Sequence, residues 1–234
     1  MASSWIESLR TAGTGGDPER RIQFNRIGDA TRRVIDSIVA SKAPTSELET
    51  IATHIESVAD SIERYPSGRT YEAFAEAANA GSNEGFLDFS PVSGRSNPLA
   101  PPVTLSLEVD EAGGQIVVGE VTFTSAYEGP PGSVHGGYLA AAFDEVLGLA
   151  QSMSGSPGMT ARLTINYRKP TPWGKPLRFE ARIIKREGRK VFTEGTCYSG
   201  STPTAEADGL FVSVDFDKLA ELAAARESFR STPL

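Results

Sequence analysis

A histidine, two glycines and an aspartate lie close together near the middle of this sequence. His135-Gly136-Gly137 opens an apolar segment that runs to about Ser152, and Asp144 follows roughly two helical turns later. The unpaired N–H groups and the dipole at the start of such a helix favour negative charge, and glycine lets a ligand approach the backbone closely. We therefore expect the turn to stabilise an oxyanion, with Asp144 as an acid/base group.

Each of these residues also has a purely structural interpretation. Asp144 could be an internal helix residue whose carboxylate is satisfied by a structural hydrogen bond. His135 could serve only to hold the turn by a hydrogen bond, and we favour that role over proton transfer. The adjacent Glu145 points about 100° away from Asp144 on a helix, so the two carboxylates cannot face the same substrate.

The segment is preceded by two predicted helices. Apolar residues at helical spacing predict the first from Glu19 to Ser41 and the second from Ser46 to the break at Tyr65-Pro66. Ser46 and Glu49 form a capping-box pattern at the start of the second. Since only a short break around Pro44 separates them, we expect an N-terminal helical hairpin.

Short alternating segments surround the apolar helix and predict strands. Two precede it and four follow it: Val103 to Val109, Gln115 to Thr124, Met159 to Tyr167, Pro176 to Lys185, Lys190 to Ser199 and Thr204 to Val214. This order predicts an α+β fold with a mainly antiparallel sheet and one buried helix on its concave face, and it excludes a doubly wound nucleotide-binding fold.

These elements suggest four parts along the chain. We predict an N-terminal helical extension at 1–85, a proline-rich linker or wrapping arm at 86–102, the sheet-and-helix domain at 103–216, and a C-terminal helix and tail at 217–234, with the helix from Asp217 to Phe229.

Five motifs, taken together in order, resemble the HGG-motif clade of hotdog thioesterases, which includes the phenylacetate-pathway acyl-CoA thioesterases and the mammalian thioesterase superfamily members. They are His135-Gly136-Gly137, Asp144 on the following helix, Met159-Thr160-Ala161, Asn166-Tyr167-Arg168-Lys169-Pro170 and Glu187-Gly188-Arg189-Lys190. The resemblance spans about 101–215, roughly half of the chain. It implies the hotdog fold, an antiparallel sheet wrapped around one long buried helix.

The function implied by the resemblance is hydrolysis of an acyl-CoA to the free acid and CoA. In such relatives the carboxylate is a general base or a nucleophile, N–H groups at the HGG turn hold the carbonyl oxygen, and a Ser or Thr from the partner subunit orients the water. Those roles fall here to Asp144, to Gly137 with Gly136 in the same turn, and to Thr160. The relatives form homodimers with sheets joined edge to edge and active sites at the interface, with a dimer of dimers as the larger alternative.

Two positions fit this pattern less closely. Some relatives place an Asn a few residues before the HGG, where this sequence has Glu128-Gly129. Strand alternation puts Thr160 on the same face as Arg162 and Thr164, so a plain β-forming role is the alternative for it.

Charge is distributed unevenly along the sequence. The net charge of −7 argues against binding nucleic acid, yet ten basic and two acidic residues lie between Arg162 and Lys190. This run could bind a polyanion such as the nucleotide tail of CoA, with Arg168, Lys169, Arg189 and Lys190 as the candidates. It could equally consist of surface charges that protect sheet edges from aggregation.

Other classes of site find little support. A single cysteine, Cys197, and two histidines predict neither an internal disulfide nor a Cys/His metal site, and we expect no cofactor beyond the CoA of the substrate. We find no spanning apolar run and no signal peptide, so we expect a cytoplasmic protein without a membrane span.

Four alternatives to a hotdog thioesterase receive different support from the sequence. The patterns G-x-S-x-G, P-loop and G-x-G-x-x-G are missing, so an α/β-hydrolase or a dehydrogenase is not supported. A hotdog hydratase would need a different histidine-centred site. A non-catalytic hotdog module that binds acyl-CoA or a fatty acid as a sensor stays open.

Overall fold

The computed structural model describes residues 18–65, 88–155 and 158–213. In chain order the elements are α1 (Pro18–Val39), α2 (Thr45–Glu63), β1 (Thr104–Val109), β2 (Gln115–Val121), a short 3-10 helix (Ser125–Tyr127), α3 (Gly136–Ser152), β3 (Gly158–Tyr167), β4 (Leu177–Glu187), β5 (Lys190–Ser199) and β6 (Thr202–Ser213). Every helix and strand predicted within these residues is confirmed to within a few positions. The predicted C-terminal helix lies outside the described residues.

The six strands form one antiparallel sheet in the order β1-β2-β4-β5-β6-β3. Helix α3 lies against one face of it, and its buried side chains, among them Phe143 and Leu147, meet the inward-facing residues of the strands. Phe143 packs edge-on against Phe179 of β4 with ring centroids 5.0 Å apart. The predicted α+β class and hotdog fold are confirmed.

Helix α3 approaches the sheet very closely at β2. A Cβ atom added at Gly119 would lie 2.5 Å from Cγ2 of Val146, a distance that real side chains do not tolerate. The glycine therefore lets the helix pack directly on the strand, which fixes the distance of α3, including the residues at its start, from the sheet.

Residues 88–102 form a packed arm, and a carboxylate of α3 holds it. Glu145 accepts hydrogen bonds from the hydroxyls of Ser90, at 2.8 Å, and Ser93. The arm also buries Ala100 completely. Glu145 is therefore a structural residue that joins the arm to the central helix.

Helix α1 in turn docks on this arm through ion pairs and one close backbone approach. Arg21 pairs with Asp88 at 2.7 Å, and Asp29 pairs with Arg95 at 2.7 Å. Gly28 lies against the carbonyl of Arg95, which a Cβ atom added at Gly28 would meet at 2.4 Å.

Helix α2 contrasts with α1, because every one of its residues is exposed. The two helices exist as predicted, but the expected capping box does not: the helix begins at Thr45 after Pro44, and no side chain caps it. Proline fixes the extended backbone there, so Ser46 already lies inside the first turn, where it cannot serve as the cap. Among the described residues no helix is both long and apolar enough to cross a membrane.

Strand β3 lies at one end of the sheet, and within the described ranges no strand pairs with its outer edge. Its register against β6 shifts between Thr160 and Arg162, so that Ala161 is left without a partner. Such a bulge reverses the alternation of side chains on its two sides. Thr160 therefore points towards α3, together with Leu163, whereas simple alternation places it on the opposite face.

The Gly28 contact gives a test of how α1 is held. We expect Gly28→Ala to lower the free energy of unfolding by about 1–3 kcal/mol, because the added methyl group forces α1 away from the arm. Gly148→Ala, also inside a helix, is the matched control: its Cβ would lie 3.8 Å from Phe211, and it should raise stability by about 0.5–1 kcal/mol. Denaturant unfolding of both variants measures this, and equal effects would contradict the tight α1 contact.

Candidate active site

The start of α3 is capped by the histidine of the HGG sequence. His135 has an extended backbone, and its Nδ1 accepts a hydrogen bond from the Gly137 N–H at 3.0 Å. Accepting at Nδ1 requires this nitrogen to be unprotonated. The structure thus gives His135 the turn-holding role that the sequence favoured.

A second side chain fixes the other end of the same peptide group. The hydroxyl of Tyr167, at the end of β3, donates to the Gly136 carbonyl at 2.7 Å. The peptide between Gly136 and Gly137 therefore has both its N–H and its C=O engaged. Among the described residues the Gly136 N–H has no hydrogen-bond partner, so it is the donor at this turn that can receive a ligand.

Neither glycine adopts a positive φ, so the requirement for glycine at these two positions comes from the limited space for a side chain and not from backbone strain. A Cβ atom at Gly136 would lie 3.1 Å from the Tyr167 hydroxyl, and one at Gly137 would lie 3.2 Å from Nδ1 of His135. Both distances are tight, so each glycine keeps a clamping side chain in place.

Asp144 is half-buried on α3, and the Thr160 hydroxyl donates to its Oδ1 at 2.8 Å. This hydrogen bond lies within one chain, and the role that the resemblance implies for Thr160, orienting water in the site of the partner subunit, stays a prediction. The bulge at Ala161 is the reason for the hydrogen bond, because it turns Thr160 towards the helix. The carboxylate is thereby oriented, with Oδ2 left for another partner.

The HGG turn and Asp144 lie far apart in a single chain. Asp144 comes eight positions after Gly136, and at 1.5 Å per residue their backbones are about 12 Å apart along α3. The carbonyl oxygen of one thioester therefore cannot accept a hydrogen bond from the Gly136 N–H while its carbonyl carbon lies beside Asp144 of the same chain. Two half-sites therefore lie along β3. One consists of Asp144 with Thr160, and the other consists of the HGG turn with Tyr167.

Two other carboxylates near the site have structural partners. Glu145, the alternative to Asp144, is held by the arm. Glu128, in the position where some relatives have Asn, accepts from the Gly132 N–H at 2.6 Å, and this hydrogen bond lowers the pKa of its carboxyl. It braces the loop that leads into the HGG turn.

The four candidate cations for the CoA tail differ in their surroundings. Arg168 pairs with Glu206 at 2.8 Å, and Arg189 donates to the Ser213 carbonyl. The side chains of Lys169 and Lys190 are exposed and form no ion pair with any residue that the structure describes. The two lysines are therefore the better candidates.

Part of the basic run is neutralised by carboxylates that lie nearby in the fold. Three of its cations pair with carboxylates of neighbouring strands or of the same hairpin: Arg178 with Glu108 and Glu180, Arg182 with Glu194, and Lys185 with Glu187. The charge surplus on the surface is therefore smaller than the sequence alone suggests. This favours the edge-protecting interpretation for these three.

No group of three or more potential metal ligands from His, Cys, Asp and Glu occurs within residues 18–65, 88–155 and 158–213. Cys197 is buried, and burial raises the pKa of its thiol to about 11. The thiol is thus an inert packing group.

Comparison with known proteins places this geometry in a family. A family model described as Thioesterase superfamily matches residues 131–206. The acyl-coenzyme A thioesterases THEM4 of Xenopus laevis and Bos taurus are each 38% identical over 87 and 93 residues, or 36% and 39% of this chain, and the matches span only 39% and 38% of their lengths. A solved structure of a thioesterase superfamily protein is 36% identical with a TM-score of 0.69, covering 81% of this chain and 94% of that one. With that identity over nearly the whole of a solved relative, the chain belongs to the thioesterase superfamily.

Proposed function

We propose that this protein hydrolyses the thioester of an acyl-CoA to the free acid and CoA. The observation that carries the proposal is the pair of half-sites along the open edge of β3: a carboxylate oriented by Thr160 and a backbone N–H of Gly136 without a partner in the described chain. The similarity to THEM4 proteins, which are named acyl-coenzyme A thioesterases, supports the same chemistry over the matched segment.

The two half-sites complete each other if two copies pair along β3. Antiparallel pairing about a point between Leu163 and Thr164, near the middle of this strand, brings Thr160 of one chain opposite Tyr167 of the partner subunit. Asp144 then faces Gly136 of the partner subunit across the interface. A symmetric homodimer has two such sites, and it covers an edge strand that is otherwise open to aggregation.

In the assembled site each group has a defined part. The thioester oxygen accepts a hydrogen bond from the Gly136 N–H at the positive end of α3, and the carbonyl carbon lies beside Asp144. Asp144 either removes a proton from water as the water attacks or attacks the carbon itself. The tetrahedral intermediate collapses with loss of the CoA thiolate, which takes up a proton, and in the second case water then hydrolyses the acyl-aspartate.

Thr160 acts through Asp144 in this scheme. Its hydroxyl donates to one carboxylate oxygen and so directs the other towards the water or the carbonyl carbon. A sensor that only bound acyl-CoA would have no need of a carboxylate held in this way beside an oxyanion donor, which favours hydrolysis over the non-catalytic alternative.

The dimer also brings Lys169 and Lys190 of different chains closer together. In one chain Lys169 and Lys190 lie at opposite ends of the sheet, level with Thr204 and Val212 of β6, about 26 Å apart. Antiparallel pairing of β3 brings Lys190 of one chain towards Lys169 of the partner subunit. We propose that these lysines bind the phosphates of CoA near each site, as exposed point charges.

The first prediction concerns the base. In a thiol-release assay on a panel of straight-chain and aromatic acyl-CoAs, we expect Asp144→Asn to lower turnover by at least ~10²-fold with little change in folding, because it keeps the shape but removes the charge. Asp208→Asn, on the opposite face of the sheet, is the matched control and should leave turnover unchanged. Near-normal turnover by Asp144→Asn would remove this residue from the mechanism.

The second prediction separates the two glycines. Since the Gly137 N–H is engaged by His135, we expect Gly136→Ala to lower kcat by roughly 10- to 10³-fold and Gly137→Ala to have a clearly smaller effect. Steady-state kinetics gives kcat and KM for both variants, with circular dichroism as the check on folding. A larger loss for Gly137→Ala would assign the oxyanion to that N–H instead.

The third prediction concerns the CoA tail. Lys169→Ala and Lys190→Ala should each raise KM for acyl-CoA with little change in kcat, and the rise should shrink at high salt, because the attraction to phosphate is screened. Lys42→Ala, in the exposed connection between α1 and α2, removes the same charge elsewhere and should not change KM. If both lysine variants keep the native KM at low ionic strength, the phosphates bind at another place.

A further inference from the structure

The N–H group that we assign to the oxyanion belongs to the peptide bond between His135 and Gly136, so its direction depends on how His135 is held. The His135 N–H donates to the Tyr127 carbonyl at 2.9 Å. The backbone of Gly129 also lies so close that a Cβ atom added there would meet the Cα of His135 at 2.8 Å. Tyr127 ends the 3-10 helix Ser125–Tyr127, so this short turn orients the peptide that carries the donor.

Helix α1 supports this 3-10 helix directly. The two elements are in contact, and the hydroxyl of Ser125 donates to Oδ1 of Asp36 at 2.8 Å. Both residues are half-buried, so water competes less for this hydrogen bond than at an open surface. A single 3-10 turn has few hydrogen bonds of its own and needs outside contacts to keep its orientation. Asp36 therefore holds the turn that holds His135.

The arm holds the same 3-10 helix through Tyr127. This tyrosine is buried, and its ring packs edge-on against Tyr138 of α3 with ring centroids 4.7 Å apart. Its hydroxyl donates to the Leu99 carbonyl of the arm at 3.3 Å. Burial raises the pKa of this hydroxyl above its usual range, so it stays protonated as a donor. The turn is thus held between the arm and the start of α3.

Arg32 of α1 fixes the arm next to that contact. Its guanidinium donates to the carbonyls of Asn97 and Arg95, each at 2.7 Å, and its side chain is only 15% exposed. Leu99 follows Asn97 by two positions. Helix α1 therefore reaches the 3-10 helix by two routes, directly through Asp36 and indirectly through the arm.

We propose that Asp36 is a positioning residue for the oxyanion donor. Its hydrogen bond to Ser125 fixes the 3-10 helix, whose last carbonyl holds His135, and this aims the Gly136 N–H at the thioester oxygen. Hydrogen bonds weaken steeply when they are misaligned, so a small tilt of this N–H lowers the stabilisation of the transition state. The proposal rests on the hydrolysis proposed above, and it gives the N-terminal extension a part in that reaction.

Asp36 could also act by its charge, and the two roles differ in the sign of their effect. A negative charge near the turn opposes the charge that develops on the thioester oxygen, so its removal would raise turnover. A positioning role requires only an acceptor oxygen, which asparagine retains. Replacement by alanine and by asparagine therefore separates the two roles.

The first test is steady-state kinetics of thiol release. We expect Asp36→Ala to lower kcat by roughly 5- to 50-fold and to leave KM for acyl-CoA within about twofold, because the oxyanion contact forms fully only in the transition state. Asp36→Asn should keep kcat near the wild-type value. Asp60→Ala removes a carboxylate from the exposed helix α2 and is the matched control, which should leave kcat unchanged.

A double-variant cycle shows whether Asp36 acts through Ser125. Ser125→Ala should lower kcat as Asp36→Ala does. The protein with both changes should be no slower than either single variant, since both changes remove the same hydrogen bond. Circular dichroism and denaturant unfolding show whether each variant is folded under the conditions of the assay.

The histidine side chains report the state of the turn without any use of activity. The chain has two histidines, His135 in the turn and His54 on the exposed helix α2. In nitrogen NMR spectra of histidine-labelled protein, Asp36→Ala should shift the Nδ1 resonance of His135, which accepts from the Gly137 N–H, and leave His54 unchanged. Asp36→Asn should restore the His135 signal.

Three outcomes would overturn the proposal: a wild-type kcat in Asp36→Ala, a loss of kcat that Asp36→Asn shares, or a loss of kcat with an unchanged His135 signal. In each of them the wild-type protein hydrolyses acyl-CoA, so only the role of Asp36 fails. A wild-type protein that releases no thiol from any acyl-CoA would instead overturn the proposed hydrolysis, and this role with it.

Discussion

The arrangement of the candidate site depends on one distance, the length of α3 between the HGG turn and the Asp144 carboxylate. Eight residues of helix place the Gly136 N–H and Asp144 about 12 Å apart, which is too far for both to act on one thioester carbonyl. A helix this rigid, seated on the sheet through Gly119, cannot shorten that distance. If both groups take part in the reaction, they must belong to different chains.

Several contacts hold the groups of the two half-sites in the positions that a site shared between two chains would need. Tyr167 and His135 hold the peptide between the two glycines from opposite ends, which leaves the Gly136 N–H as the donor. The bulge at Ala161 turns Thr160 to Asp144. Because Thr160 and Tyr167 both lie on the open edge strand, one strand positions a part of each half-site.

The sequence predicted the elements and the site segment better than their spatial relations. Helix α3 runs from Gly136 to Ser152 as expected, because apolar periodicity and glycine chemistry are local signals. The orientation of Thr160 was missed, because a bulge depends on the register between β3 and β6 and leaves no mark in the alternation of one strand. The ion pairs within the basic run could not be predicted for a similar reason, since the carboxylates that neutralise Arg178 come partly from β1, about seventy residues away in the chain.

From the sequence we expected the Gly137 N–H to hold the carbonyl oxygen, although both glycines lie at the positive end of α3, and in the structure that N–H is engaged by His135. Only the positions of the Tyr167 hydroxyl and of His135 Nδ1 distinguish them. The motif therefore predicted the turn, and the hydrogen bonds at the turn show that, among the described residues, the N–H without a partner is that of Gly136.

Subunit complementation tests the shared site most directly. Asp144→Asn and Gly136→Ala proteins, each nearly inactive, are mixed in equal amounts, allowed to exchange subunits and assayed for acyl-CoA hydrolysis. If each site takes Asp144 from one chain and Gly136 from the other, each mixed dimer has one intact site, and the mixture should recover about a quarter of the wild-type rate. A mixture that exchanges subunits fully and yet stays as inactive as its components would contradict a site shared between two chains.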